Sequence, residues 1–303
     1  MTGAQTPHLR AALLMLGSTL LFGLMTIAIR LASATLHTFE IAFFRNFFGL
    51  LAAAPLVWRH GWVLLRTTRL PRYFFRCVIG IGSMFAGFWA IGHLPLAQAI
   101  ALSYSSPLFV TIAAAIFLGE KVRARRWTAV ALGFLGVLIV VRPGTDSFSA
   151  GSLVALMAAV LNAWVSIQIK ELSNTEPADR IVVWTTALWV PMSLGPAMAV
   201  WAWPQGWTWL WIVLAGILGT CGHMLWTRAL KLGEVSALTP ISFMQLPVVA
   251  IAGYFLFSEK LDRYTLLGAA IIFSANAYIT HREATLARKA ETKLKPEDEI
   301  PVR

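Results

Sequence analysis

Apolar residues in this chain come in long unbroken runs, not in the strict alternation of a half-buried strand or the narrow stripe of a surface helix. Ten such runs fall near residues 11–32, 38–58, 73–92, 95–118, 125–142, 149–170, 179–201, 206–229, 234–257 and 263–281. A hydrocarbon core about 30 Å thick needs roughly 20 apolar residues as helix. Each run therefore predicts one crossing, and the fold class is all-α integral membrane with ten transmembrane helices.

Composition sharpens this. The chain is 58% hydrophobic and 13% charged, with mean hydropathy +0.69, against about 25% charged residues in a soluble domain. A net charge of +11 raises nucleic acid as a partner, but the basic residues sit in short clusters between apolar runs. They point to a lipid bilayer and no nucleic acid; the oligomeric state is left open. Assigning the links alternately to two faces puts twenty Lys and Arg on the face shared by both termini, with four on the other. The positive-inside rule then places the N- and C-termini in the cytoplasm of a multi-pass protein of bacterial inner-membrane type. Trp201, Trp203, Trp207, Trp209 and Trp211 crowd the opposite turn as an aromatic belt. From Arg282 onward six basic and five acidic residues without an apolar stripe predict a solvated, partly disordered tail. The first run, followed by Ala32-Ser33-Ala34, has the look of a signal peptide but exceeds the usual apolar core of about 7–15 residues.

An internal repeat also requires that run as a helix. A shift of about 140 residues lays Arg30 and its neighbours on Lys170, and a shift of 139 lays Phe117-Leu-Gly-Glu120-Lys121 on Leu256-Phe-Ser-Glu259-Lys260. Five helices per copy is an odd number, so the second copy enters the membrane upside down: two inverted five-helix repeats, 1–145 and 146–282, before a charged tail at 283–303. Secondary transporters use this plan, with substrate near the midplane between the halves.

These residues resemble the drug/metabolite transporter superfamily in its EamA-type branch of ten-helix carriers. The resemblance is carried by Leu118-Gly119-Glu120, by Ser106-Pro107-Leu108-Phe109, by the Gly92-His93-Leu94-Pro95-Leu96-Ala97 link and by Arg45. Within the branch the chain looks most like YddG-type exporters of aromatic amino acids. It departs in lacking a proline just after helix 1 and in carrying Phe257-Ser258-Glu259 where the first repeat has Leu-Gly-Glu. The resemblance implies a secondary transporter exporting amino acids, aromatic ones foremost, or related small amphiphilic metabolites by alternating access. An importer of a nucleoside-like metabolite such as S-adenosylmethionine and a non-transporting membrane scaffold are the alternatives.

Candidate chemistry follows from what the spans contain. The acidic residues lie in loops, at helix ends or in the tail, so the expected substrate is neutral or zwitterionic and moves down its own gradient. Ser103 and Tyr104 ahead of Pro107, and Thr239, Ser242 and Gln245 in a segment punctuated by Pro240 and Pro247, are the candidate cavity groups, since proline in a spanning helix frees carbonyls that a cavity can satisfy. The bland alternative is that these groups glue helices together. Trp164 beside Asn162, with Trp89 and Trp226, offers ring faces for a planar substrate. His223 can bond a substrate or sit satisfied in the core, and Arg45 can receive a carboxylate or tie carbonyls. Glu120 and Glu259 stand beside Lys at helix ends, as gates or as ties from their helices to the next. Cys77 and Cys221 give no disulfide framework, and phosphate loop, metal-ligand spacing and nucleophile elbow are all missing from the sequence. No enzyme activity, metal or cofactor is expected.

Overall fold

The computed structural model describes residues 5–60, 67–117, 124–145, 148–173, 175–232, 238, 241–260 and 262–294. Among them every regular element is a helix: α1 Gln5–Ala32, α2 Thr38–His60, α3 Leu70–His93, α4 Leu96–Ser103, α5 Ser106–Phe117, α6 Ala124–Val141, α7 Ala150–Ser173, α8 Ala178–Met198, α9 Thr208–Leu232, α10 Gln245–Phe257 and α11 Arg263–Leu294. Six helical stretches of the described residues are long and apolar enough to cross a membrane, and Arg126–Val141 and Gln245–Phe257 are shorter apolar helices.

Two features of the spans have local causes. The run 95–118 is one crossing broken in two, with Tyr104 and Ser105 in a turn between α4 and α5. Pro107 lacks the N–H that would continue the ladder, and the Ser103 and Ser105 hydroxyls fold back on the Ile100 and Leu102 carbonyls at 2.7 and 2.6 Å. The tail, expected to be irregular, is helical as far as Leu294 because α11 runs on past residue 281. The sequence from Arg282 to Leu294 is dominated by Ala, Arg, Lys and Glu, all good helix formers.

Helix pairing respects the repeat. α1 packs on α9 and α3 on α7; α1 packs on α10 and α5 on α7; α2 packs on α9 and α3 on α8. In each case exchanging the halves turns one pairing into the other, while α2 against α8 and α6 against α11 map onto themselves. The packing of α2 on α9 is glycine-dependent: a Cβ on Gly216 of α9 would lie 2.6 Å from the Phe48 Cβ and 2.9 Å from the Arg45 carbonyl of α2. Those backbones meet only because there is no side chain between them.

Candidate functional site

The site begins with the two helix breaks. Tyr104 and Ser105 form the turn before α5, and Phe243 and Met244 form the turn before α10. The offset is 139 residues, the same as that between Glu120 and Glu259. The repeat-equivalent residues Tyr104 and Phe243 stack face to face, ring centroids 4.1 Å apart and planes 18° from parallel. Phe273 of α11 meets Phe243 edge-on at 4.5 Å.

A polar chain runs through this point. Tyr104 Oη donates to the Ser242 carbonyl at 2.7 Å and lies 3.3 Å from Gln245 Oε1. Gln245 Nε2 donates to Thr26 Oγ1 of α1 at 3.3 Å, and Asn276 Nδ2 of α11 donates to the Tyr104 carbonyl at 2.7 Å. Both halves are thus wired through one tyrosine, and the carbonyls freed by the breaks find partners, as a low-dielectric interior demands.

Beside the network lies a cavity of about 530 Å³, within the ~300–1,000 Å³ usual for small-molecule sites. Ser103, Tyr104, Pro107, Asn162, Trp226, Ser242 and Gln245 line it, as the sequence suggests. Its wall also includes Asn276 and Arg126, neither of which the sequence reading singled out. Arg126 Nη2 donates to Thr111 Oγ1 at 3.3 Å. No carboxylate is among the described lining residues. Apart from the residues around the two breaks and in the first turns of α5, the lining comes from the first part of α1, the start of α6 and the later parts of α7, α9 and α11. The cavity therefore sits in the half of the bundle that holds both chain ends.

The other expected residues go elsewhere. Trp164 lines a separate, almost wholly apolar groove with Phe75, Phe109 and Ile112. Trp89 stacks on His93 at 4.1 Å at the far end of α3. His223 packs edge-on against Phe22 and Trp226, two lining residues, at 5.3 and 6.3 Å. Arg45 is 6% exposed; its guanidinium donates to Asn46 Oδ1 at 3.1 Å and lies against Gly219, where a Cβ would come within 2.8 Å. Pro247 lies in the first turn of α10 and faces outward. Thr239 and Glu120 lie outside the described residues.

Glu259 stands at the other end of the bundle. Its Oε1 pairs with Arg30 Nη2 of α1 at 3.1 Å and its Oε2 accepts the Leu96 N–H at 2.8 Å. Leu96 opens α4, so the carboxylate meets the positive end of that helix. Arg30 also donates to the Ile91 carbonyl of α3 at 2.8 Å. Where the sequence suggests a tie to the next helix, Glu259 instead holds α1 and α4 of the other half, and Arg30 carries the link on to α3. The start of α11 is tied instead to the end of α6, where Asp262 pairs with Arg142 at 2.8 Å. Burial pushes the Asp262 carboxyl up, and the Thr265 hydrogen bonds and the Arg142 charge outweigh it, leaving it below its ordinary value. Ser258, just before Glu259, is left-handed at φ 53°, a conformation suited to the Gly of the first repeat's Leu-Gly-Glu. Glu40 is equally remote from the midplane: it accepts the His37 N–H at 2.9 Å, capping α2.

A bundle of apolar helices with a polar cavity at the junction of two related halves is the architecture of a membrane transporter. The chain belongs to the EamA-like transporter family, whose model matches it twice, over residues 9–142 and 149–280. It is 31% identical over 261 residues to an S-adenosylmethionine uptake transporter of Rickettsia felis, spanning 85% of this chain and 88% of the relative. A riboflavin transporter of Vibrio cholerae is 34% identical over 76% of this chain and 74% of the relative. A pseudopaline exporter of Pseudomonas aeruginosa is 30% identical over 84% and 90% respectively. A solved crystal structure superposes with TM-score 0.64 at 20% identity, covering 93% of this chain and 98% of the other, and shows the shared fold.

Proposed function

We propose that the chain is a secondary carrier for a small ring-bearing amphiphile, which it exposes alternately to the two sides of a bacterial inner membrane. The reading is carried by the stack of Tyr104 on Phe243 beside a polar cavity whose far end is barred by Arg30 and Glu259. The structure then corresponds to the state open toward the chain ends, which the distribution of Lys and Arg assigns to the cytoplasm. Rocking of α3, α4 and α5 and of α9 and α10 against the rest would part the Glu259 contacts and close the cytoplasmic side. A cavity of this size takes one planar group beside the ring stack, with an anionic oxygen toward Arg126. With no carboxylate among the described lining residues, movement down the substrate's own gradient is the supported mode.

Two substrate classes share that description: aromatic amino acids, and nucleoside-like or flavin-like metabolites of the kind named for two of the relatives. Counterflow in proteoliposomes decides between them, using tryptophan, phenylalanine, S-adenosylmethionine and riboflavin, with leucine as the ringless comparison. Exchange of leucine but of no ring compound would refute the proposal. Strict loss of transport when the proton gradient is collapsed, the substrate gradient being intact, would refute the uncoupled mode.

A further inference from the structure

The wall of the cavity has a polarity that its residue names do not reveal. Six lining hydroxyls are turned back onto backbone carbonyls: Ser18 to Gly222, Thr19 to Met15, Ser103 to Ile100, Thr111 to Pro107, Ser166 to Asn162 and Thr280 to Asn276, at 2.7 to 3.1 Å. Each has spent its single proton there, so toward the cavity it offers only lone pairs.

Asn276 goes further in the same direction. It is 1% exposed and lines the cavity. Its Nδ2 donates to the Tyr104 carbonyl at 2.7 Å. A carbonyl only accepts, so this bond fixes which end of the amide is nitrogen. Its Oδ1 is therefore the end left over, and that buried atom has no hydrogen-bond partner. Buried amide oxygens are rarely left unpaired, and one at a binding cavity calls for an explanation.

We propose that Asn276 is the specificity residue of the cavity, its Oδ1 accepting a hydrogen bond from an N–H on the edge of the substrate ring while the ring lies beside the Tyr104–Phe243 stack. The ligand class is a planar nitrogen heterocycle that donates: an aminopurine, a flavin-type imide or an indole, as opposed to a plain hydrocarbon ring. The inference rests on reading the cavity as the substrate site. It narrows that reading, because an acceptor-rich wall penalises any ring that brings no donor to it.

The test compares ligands that differ only in the donor: tryptophan with 1-methyltryptophan, adenosine with N6,N6-dimethyladenosine, and riboflavin with 3-methylriboflavin. Binding to the solubilised full chain is measured by scintillation proximity. In at least one pair the N–H compound is expected to bind tenfold or more tighter than its methylated partner. Asn276→Ala, and independently Asn276→Ser, should bring that ratio to within about threefold of one, mainly by weakening the N–H compound. Wild-type ratios all within threefold of one overturn the proposal without any variant, as does failure of every pair to bind. A ratio that survives in a monodisperse variant overturns it too. Counterflow that persists without Asn276-dependent selectivity refutes this inference alone and leaves the carrier reading standing.

Discussion

Glu259→Gln is the most direct probe of the seal. The substitution keeps an oxygen for the Leu96 N–H but removes the charge that Arg30 meets at 3.1 Å. The two side chains are 19% and 14% exposed, so the pair lies between two regimes. Exposed ion pairs contribute about 0.2–1 kcal/mol, while breaking a fully buried pair costs about 3–5 kcal/mol. We take about 1–2 kcal/mol for this one. If the contact exists only when the far side is closed, losing it raises the population open to that side by about 5- to 30-fold. The assay is labelling of Ser103→Cys, a lining position, by a membrane-impermeant maleimide in oriented vesicles, with Cys77 and Cys221 replaced. Labelling from the side away from the chain ends should accelerate by that factor, and Arg30→Gln should do the same. Acceleration below twofold in both variants, with both folded, would show that the pair does not bias the two states.

Arg126→Gln should abolish any preference for a carboxylate-bearing ligand over its amide, read as the binding ratio of tryptophan to tryptophanamide, without changing thermal stability by more than a few degrees. Ser258→Gly should stabilise the protein by up to about 1 kcal/mol, because it relieves a left-handed non-glycine residue; an unchanged or lower melting temperature contradicts this. Asp262→Asn should lower the melting temperature at neutral pH. The folded carboxyl sits below its ordinary 3.8, so its contribution is present above that value and is lost as pH falls through the folded one. Wild type and variant should therefore converge under acid, and a gap that persists there would refute the assignment.

The break in the fourth crossing was legible because Pro107 and three hydroxyls leave the ladder no way through. The matching break at Phe243 and Met244 was legible less sharply, as a segment punctuated by Pro240 and Pro247, and the repeat offset fixes its position. Which face a residue presents was not legible. Trp164 and Asn162 are neighbours in depth, yet Asn162 reaches the cavity and Trp164 the apolar groove, because residues two positions apart on a helix point about 200° apart. Arg126 was hidden by its place in a basic cluster that the positive-inside rule had already explained. Asn276 did leave a signal: Asn162 and Ser166, and Asn276 and Thr280, are polar pairs four residues apart in otherwise apolar helices, the spacing that puts two side chains on one face.

The stack of Tyr104 on Phe243 also bears on direction. Residues at the axis relating two halves are the ones that meet their own counterparts, and a carrier whose halves matched there would present the same chemistry to a substrate arriving from either side. Here the counterparts differ by one oxygen, and that oxygen is bound to the second half. The centre of an otherwise two-fold arrangement is therefore handed, and in the proposed carrier a substrate would meet the bare ring and the hydroxylated ring in opposite order on inward and outward passage.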